Sequence, residues 1–211
     1  MEHYLFVHFK ERRTPEGEQV YFGLSKDGYT WEPVNGGNPV LWSMIGEKGV
    51  RDCTIIRSDN GKFYIIATDL SLSYNMRRVY HNSWHEIQQN GSNHLMMWES
   101  EDLVHWSNPW SKTVAIPESG CVWAPEVVYD AEEQLYYMFF SATPQEESFK
   151  TGNGVQEGTA KEVLMVAVSQ YPDHGFRLIN FTDPDSCGEE NLHTYNAVPG
   201  KQDENGNVMD A

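Results

Sequence analysis

Residues 49–57 read GVRDCTIIR, and the apolar run continues after a turn as GKFYIIATDL at 61–70. Two such runs around the turn signal SDNG predict a β-hairpin. Asp52 lies where the first strand is about to begin, although aspartate is a poor strand former because its carboxylate competes for backbone hydrogen bonds. Either Asp52 caps the strand and pairs with Arg51, or it is a carboxylate held at the end of a rigid strand and directed into a pocket.

The same hairpin pattern recurs along the chain, whereas helical periodicity is scarce. Short apolar runs alternate with turn signals such as VNGGNP and DAEEQ. The predicted strands cover residues 4–9, 19–25, 53–57, 62–69, 94–100, 126–130, 135–142 and 163–170. The sequence therefore predicts an all-β protein.

Two pairs of segments repeat at nearly the same spacing. SKDGYTW from Ser25 and SEDLVHW from Ser100 share the pattern S-x-D-x-x-x-W, with 100 − 25 = 75. TIIRSDNGKFY from Thr54 and EVVYDAEEQLY from Glu126 share a strand, a turn and a second strand, with 126 − 54 = 72. Such a period, with about four strands per unit, favours the blades of a β-propeller. The alternative is chance similarity between hairpins.

A third copy of the first pattern ends with Phe176 in place of the tryptophan. Because Trp31 and Trp106 repeat with the predicted blades, we expect them to pack between neighbouring sheets and not to contact a ligand. Polar insertions at 71–93 and 144–161 interrupt two blades. Each is either part of a binding rim or a tolerated surface insertion.

The charge of the chain argues against two classes of partner. Asp and Glu total 31 against 15 Lys and Arg, which gives a formal net charge of −16. Nucleic acids and anionic membranes both require a basic face on the protein, so neither is expected as the main partner. A neutral or cationic ligand fits better. The seven Trp and eleven Tyr favour β structure and also offer surfaces that can stack on sugars.

No cofactor or metal site is predicted. Cys53, Cys121 and Cys187 are odd in number and far apart, so neither a disulfide framework nor a zinc site is indicated. His81 and His85 would suit a metal only on a helix with a further ligand. The first residues, MEHYLFVHFKERR, lack the pattern of a signal peptide, so a cytoplasmic location is the default expectation.

The motifs taken together resemble family 43 of the glycoside hydrolases. The segments that carry the resemblance are YLFVHF, VYFGLSKDGYTW, GGNPVL, GVRDCTIIR, KFYIIATDLS, MMWESEDLVHWS, VWAPEVVYD and LYYMFFSAT. Each is weak alone, but R-D-x-x-I-I, S-x-D-L-x-x-W and W-A-P-E-V in this order are specific. The resemblance spans residues 4–211. It implies a five-bladed β-propeller that hydrolyses arabinose- and xylose-containing polysaccharides by an inverting mechanism.

The resemblance also implies catalytic roles. Asp52 matches the family's general base, and Asp210 in NVMDA matches the second aspartate, which tunes the pKa of the acid. Cys53 stands where the family usually has proline, which removes a fixed φ and adds a backbone N–H. The general-acid glutamate belongs to a later blade, so the resemblance implies that it lies beyond Ala211. Some family members hold a structural cation in the central channel, with ligands that would also come from later blades.

Four further residues are expected at the substrate site. Arg51 would favour the ionised form of Asp52 if its guanidinium lies close. Trp123 would stack on a sugar or wall the pocket, with packing between sheets as the alternative. Glu126 is expected to contact the substrate or the structure and not to act as the acid. Asp69 either lines the pocket or closes a turn.

The chain is therefore predicted to be one partial propeller domain over 1–211, an N-terminal fragment that supplies about two to three blades of the five. Its expected parts are a closing-blade segment, two blades, and a linker with the start of the next blade, at 1–48, 49–116, 117–180 and 181–211. Propellers need about four to eight blades to close. A missing C-terminal portion or a complementing chain would complete the ring.

Three functions are compatible with these observations. The first is a glycosidase of the α-L-arabinofuranosidase or β-xylosidase type. The second is a non-catalytic glycan-binding propeller, for which the Cys53 departure is the best support. The third is a protein-binding propeller of another family. A glutamate that opens a later inner strand would favour hydrolysis, and its absence from the full-length chain would favour binding.

Overall fold

The computed structural model describes residues 3–113, 119–144 and 163–178. In this part of the chain, three antiparallel sheets follow one another in sequence. Sheet 1 contains β1 (Tyr4–His8), β2 (Tyr21–Ser25) and β3 (Glu32–Pro33). Sheet 2 contains β4 (Val50–Arg57), β5 (Phe63–Asp69), β6 (His94–Ser100) and β7 (Trp110–Thr113). Sheet 3 contains β8 (Ser119–Asp130), β9 (Leu135–Pro144), β10 (Val163–Ser169) and β11 (Arg177–Leu178).

The all-β prediction is confirmed, and each of the eight predicted strands is present. β4 and β8 begin earlier than predicted, at Val50 and Ser119. Both strands contain a bulge, which accommodates residues that the sequence pattern treats as strand breakers. The prediction missed β3, β7 and β11 because these strands of two to four residues are too short to show an alternating pattern.

The core lies between the faces of successive sheets. Val7 and Phe22 of sheet 1 share a buried cluster with Ile65 of sheet 2. The next residue of the same strand, Ile66, shares a second buried cluster with Met138 of sheet 3. Successive side chains of a strand point to opposite faces, so β5 is buried on both sides. This explains why its sequence is continuously apolar.

The S-x-D turns are the same structure repeated. In each, the serine hydroxyl accepts a hydrogen bond from the backbone N–H three residues later, at 2.8 Å for Gly28 and 2.9 Å for Leu103. The aspartate Oδ1 also accepts the N–H three residues further on, at 2.8 Å for Asp27 and 2.7 Å for Asp102. The predicted sequence repeat therefore corresponds to a repeated hydrogen-bond pattern.

The aromatic residue that ends each pattern packs on a sheet face. Trp106 lies edge-on to Phe22 of sheet 1, with ring centroids 5.8 Å apart, and Phe176 is buried in the cluster between sheets 2 and 3. Packing between sheets is thus confirmed for Trp106 and for the third copy. Trp31 contacts Phe6 of its own sheet and remains 41% exposed.

The insertion at 71–93 contains two short helices that the scarcity of helical periodicity did not predict, α1 (Leu72–Asn75) and α2 (Trp84–Asn90). The side chains of Ser71 and Ser83 cap their N-termini. α2 packs against β8. Helices of four and seven residues are too short to give a clear 3.6-residue period. Almost all of the second predicted insertion, 144–161, lies outside the described residues.

No described helix has the length and hydropathy needed to span a membrane. Within the described part of the chain, Cys53 and Cys121 form no disulfide, and Cys187 lies outside that part.

Candidate active site

β4 and β8 carry matching irregularities at the positions that the sequence repeat relates. The pairing register shifts between 51 and 54 in β4 and between 123 and 126 in β8. Within these bulges, Asp52 has φ 50° and Ala124 has φ 49°, and 124 − 52 = 72. The left-handed region is unfavourable for residues with a Cβ, and such strain concentrates at functional sites. The bulges re-aim the side chains at this point of each strand.

Hydrogen bonds join the two bulges. Asp52 Oδ2 accepts a hydrogen bond from Thr68 Oγ1 at 3.1 Å, and Thr68 Oγ1 in turn accepts one from the backbone N–H of Ala124 at 2.8 Å. A second link runs from Thr54 Oγ1 to Glu126 Oε1 at 3.2 Å. The structure thus brings Asp52 and Glu126 to the same region. Thr68 is fully buried and fixes the pose of the Asp52 carboxylate.

The environment of Asp52 raises its pKa above the ordinary value. The largest cause is loss of solvation, because the protein removes part of the water around a side chain that is otherwise exposed. The Thr68 hydrogen bond and the charge of Arg51 lower the pKa, and Glu11 raises it. Loss of solvation has a larger effect on the pKa of Asp52 than the charge of Arg51. Arg51 lowers this pKa as expected, but the net shift is upward.

The guanidinium of Arg51 is paired with two glutamates. It lies 3.5 Å from Glu18 and 3.4 Å from Glu11, and its centre is 5.1 Å from the ring centroid of Phe9. These ion pairs do not favour the interpretation of Asp52 as a strand cap paired with Arg51.

Two buried donors at this site have no hydrogen-bond partner in the described part of the chain, Arg51 Nε and Trp123 Nε1. These two residues are also 72 apart, and each directly precedes a residue with positive φ. Buried unsatisfied groups are rare in native structures and call for an explanation. Their coincidence with the two bulges marks this region as strained and specialised.

Asp69 is buried and tied to the protein through both carboxylate oxygens. Oδ1 accepts the backbone N–H of Glu47 at 2.8 Å, and Oδ2 accepts Ser92 Oγ–H at 2.7 Å. Burial is the largest cause of its raised pKa. Gly46 has φ 57°, and a Cβ there would collide with the Asp69 carboxylate. Asp69 therefore braces the loop before β4, and these bonds do not favour the predicted role in lining the pocket.

Glu18 holds the start of α1 and was missed by the sequence analysis. It is fully buried, and its carboxylate accepts hydrogen bonds from the N–H of Leu72 at 2.9 Å, the N–H of Ser73 at 3.0 Å and the hydroxyl of Ser71 at 2.7 Å. Arg51 supplies the opposite charge. Nothing in the local stretch EGEQ indicates that Glu18 bonds to residues more than fifty positions further along the chain.

Glu47 anchors the middle of the insertion. Its carboxylate accepts hydrogen bonds from the hydroxyl of Tyr80, the side-chain amide of Asn75 at 3.2 Å and the N–H of Ser71 at 3.1 Å. Burial raises the pKa of Glu47, and the nearby charge of Asp69 adds to the increase. Together with Glu18, this residue fixes the insertion against the strands that carry Asp52.

Trp123 lies where the insertion meets β8. It packs on the buried apolar cluster of Leu70, Leu72, Met76, Tyr80 and Ile87. Its ring also contacts Trp84 of α2, with centroids 6.4 Å apart and planes at 83°. Trp123 is only partly buried, so packing and an open face occur together.

The remaining predicted catalytic residue, Asp210, lies outside the described residues. In the part of the chain that the structure describes, no three His, Cys, Asp or Glu side chains are grouped to hold a metal ion. Thr68 and Thr54 also contribute to the site, but no sequence motif singled them out.

Comparison with known proteins identifies relatives. A family model described as "Probable glycosyl hydrolase domain", of the glycoside hydrolase family 43-related type, matches residues 1–187. An α-L-arabinofuranosidase of Bifidobacterium longum subsp. longum is 33% identical over 153 residues. The match covers 65% of this chain and 14% of that relative. The chain thus spans about one seventh of the relative's length.

Two solved structures are among the partial structural matches to this chain. A thermostable family-43 glycoside hydrolase has a TM-score of 0.45 at 16% identity, covering 79% of this chain and 46% of the other. A family-93 α-L-arabinofuranosidase of Fusarium graminearum in complex with arabinobiose has a TM-score of 0.46 at 16% identity, covering 76% and 40%.

Proposed function

The chain belongs to the family 43-related glycosyl hydrolase domains, whose model matches residues 1–187, and on that premise we propose that it is part of a glycosidase for arabinose-containing glycans. The relative that is 33% identical is an arabinofuranosidase, which supports arabinose as the sugar that is released. Xylose is the alternative sugar. The observation that carries the proposal is the placement of Asp52. Its carboxylate stands on a strained bulge and is held by Thr68 against the matching bulge of sheet 3.

We assign Asp52 the role of general base in an inverting reaction. In such a reaction, the base takes a proton from water as the water oxygen attacks the anomeric carbon, and a carboxylic acid protonates the leaving oxygen. The two carboxyl groups lie about 6.5–9.5 Å apart to leave room for the water. Thr68 holds Oδ2 of Asp52, while Oδ1 has no hydrogen-bond partner among the described residues and is available to accept the proton.

The other catalytic groups are proposed from the family pattern. Asp210 would tune the pKa of the acid, and the acid itself would be a glutamate outside this chain. Trp123 would wall the pocket, and Glu126 would position the second bulge through Thr54. Arg51 and Asp69, whose partners are within the protein, would act by positioning and not by direct contact with the sugar.

A five-bladed ring, completed by a further portion of the protein or by another chain, is the proposed architecture. The register of the sheets supports it. Tyr4, Phe63 and Tyr136 pair in turn with the three turn serines, so β1 corresponds to β5 and β9. Those two strands also pair with β4 and β8, whereas β1 pairs only with β2 within the described residues. Sheet 1 therefore has an open position for an inner strand, which the completing segment would fill.

A non-catalytic glycan-binding propeller is the second candidate. Cys53 favours it, because the proline usual in the family is absent and the backbone beside Asp52 is less restricted in φ. Burial raises the pKa of the Cys53 thiol, so it remains neutral and offers no replacement chemistry. This candidate shares the sugar site but predicts no turnover.

The test is hydrolysis of aryl α-L-arabinofuranosides and aryl β-D-xylosides by the full-length protein. Proton NMR would record the anomeric configuration of the first product formed. We expect release of the sugar with inversion. Retention of configuration would overturn the assigned mechanism, and binding without any release would favour the second candidate.

A further inference from the structure

The insertion at 71–93 brings a second tryptophan to the region of Asp52. Trp84 is the first residue of α2 and is 45% exposed. Its ring meets that of Trp123 almost at a right angle, 83°, with centroids 6.4 Å apart. Trp123 is also only partly buried, so the two indoles form an aromatic corner that is partly accessible to solvent.

Hydrogen bonds place this aromatic corner beside the candidate catalytic carboxylate. Trp123 directly precedes Ala124, whose N–H donates to Thr68. Thr68 in turn donates to Asp52. The backbone that directly follows Trp123 is therefore linked to the Asp52 carboxylate through two hydrogen bonds. A ligand large enough to extend past the sugar at Asp52 would meet these rings.

Buried contacts and hydrogen bonds fix the elements that carry the aromatic corner. Ser83 caps α2, Ile87 of α2 is fully buried, and Tyr80 is fixed by Glu47. Trp123 packs on the same buried cluster. Large apolar side chains that stay exposed on a rigid support are typical of binding sites and not of tolerated loops.

The chemistry of the aromatic corner fits a neutral sugar ring. An indole offers a broad apolar face, which can stack on the C–H face of a sugar while the hydroxyl groups remain in water. Such stacking needs no charge on the ligand, in keeping with the net charge of −16 on the chain.

We propose that Trp84 and Trp123 form a second sugar-binding subsite, which stacks on the unit next to the one at Asp52 in an arabinose-containing oligosaccharide. The proposal rests on the proposed function and adds that the 71–93 insertion selects oligosaccharides over single sugars that carry only a small aglycone. Trp84 is a binding residue in this account and takes no part in bond cleavage.

The test measures binding with turnover removed. Full-length protein carrying Asp52→Asn would be titrated calorimetrically with an α-1,5-linked arabinotetraose and, separately, with methyl α-L-arabinofuranoside, whose aglycone is too small to stack on the two tryptophans. Trp84→Ala in this background should weaken tetraose binding about three- to tenfold, as expected for loss of one stacking contact. Affinity for the methyl glycoside should be unchanged, and Trp84→Phe should recover most of the loss for the tetraose.

A matched control is Tyr171→Ala, which removes an aromatic side chain that is 51% exposed and stacked on His174 in the turn after β10. It should leave the affinity for the tetraose unchanged, and thermal unfolding of each variant would confirm that it is folded. If Trp84→Ala binds the tetraose as tightly as its parent, the subsite is overturned while the proposed function stands. If the parent binds neither ligand, the proposed function and the subsite fail together.

Discussion

At the scale of single residues, opposing interactions determine the pKa of the Asp52 carboxylate. Loss of solvation raises its pKa, while the Thr68 hydrogen bond and the charge of Arg51 lower it. A general base must be ionised at the working pH. The Thr68 hydroxyl therefore has two functions, since it orients Oδ2 and limits the rise in pKa.

Replacing Thr68 by valine should move the acid limb of the kcat/KM profile to higher pH. The hydrogen bond stabilises the charged carboxylate, so its removal raises the pKa of Asp52 further. The base is then ionised only at higher pH. The measurement is kcat/KM against pH on an aryl arabinofuranoside.

Thr54→Val is the matched control, because it also removes a hydroxyl from a buried threonine, but one that donates to Glu126. Its acid limb should coincide with that of the wild type. An acid limb that stays in place or moves to lower pH in Thr68→Val would contradict the assignment of Asp52 as the base.

Sequence reasoning found the residues that stand in motifs and missed those that act across the fold. Asp52, Trp123 and Glu126 were predicted because R-D-C-T and W-A-P-E stand next to apolar runs and belong to the motifs that carry the family resemblance. Thr68 bonds to Ala124 across 56 residues and Glu18 to Leu72 across 54. No local pattern encodes such contacts, because both depend on how the strands come together.

At the scale of structural elements, the two S-x-D turns have the same backbone conformation, although the position with positive φ is glycine in one and leucine in the other. Gly28 has φ 78°, and its counterpart Leu103 has φ 65°. Glycine adopts this conformation without steric cost, whereas leucine is strained by about 1–2 kcal/mol. The second turn is held in this shape by its serine and aspartate hydrogen bonds.

Leu103→Gly should raise the free energy of unfolding by about 0.5–1 kcal/mol, because the relief of strain exceeds the extra entropy of glycine in the unfolded chain. Urea denaturation would measure the change.

The reciprocal variant, Gly28→Ala, should lower the free energy of unfolding by about 1 kcal/mol. A Cβ at Gly28 would meet only the ring of Tyr4, at 3.9 Å, so the cost is conformational and not steric. If both variants destabilise the protein, the left-handed backbone is not the cause.

Secondary structure was predictable where the pattern was long enough. The eight apolar runs are strands because alternation or continuous burial over five or more residues is distinctive. The helices of the 71–93 insertion were not predictable, since their stability comes from Glu18, Glu47 and packing on β8 and not from their own periodicity.

At the scale of the whole molecule, side chains lock neighbouring sheets together at the end opposite the bulges. Tyr136 of sheet 3 donates its hydroxyl to Asp59 Oδ1 at 2.7 Å and accepts the N–H of Asp59 at 2.9 Å. Asp59 lies in the turn between β4 and β5. Burial raises the pKa of Tyr136 to about 12, so the hydroxyl remains a donor at physiological pH.

Tyr136→Phe should lower the free energy of unfolding by about 1–3 kcal/mol, because it leaves the Asp59 groups without their partner. Thermal or urea unfolding would measure the loss. Tyr129→Phe, which keeps the ring that packs on Tyr136, is the control, with an expected change under about 0.5 kcal/mol. Equal losses in both variants would show that the Asp59 bonds do not couple the sheets.

The stacking of sheets was anticipated from the repeat, since strands with two buried faces need a neighbour on each side. Phe6, Leu24 and Trp31 of sheet 1 remain exposed, as expected of a face that awaits another blade under the proposed ring.

The central claim is that Asp52 supplies the base for hydrolysis. The most direct measurement is kcat for Asp52→Asn in the full-length protein on an aryl α-L-arabinofuranoside, with Glu126→Gln as the comparison. The account predicts a fall of about 10²–10⁴-fold for Asp52→Asn, the usual contribution of a general base, and a change within about tenfold for Glu126→Gln. A near-normal kcat for Asp52→Asn, or a large loss confined to Glu126→Gln, would contradict it.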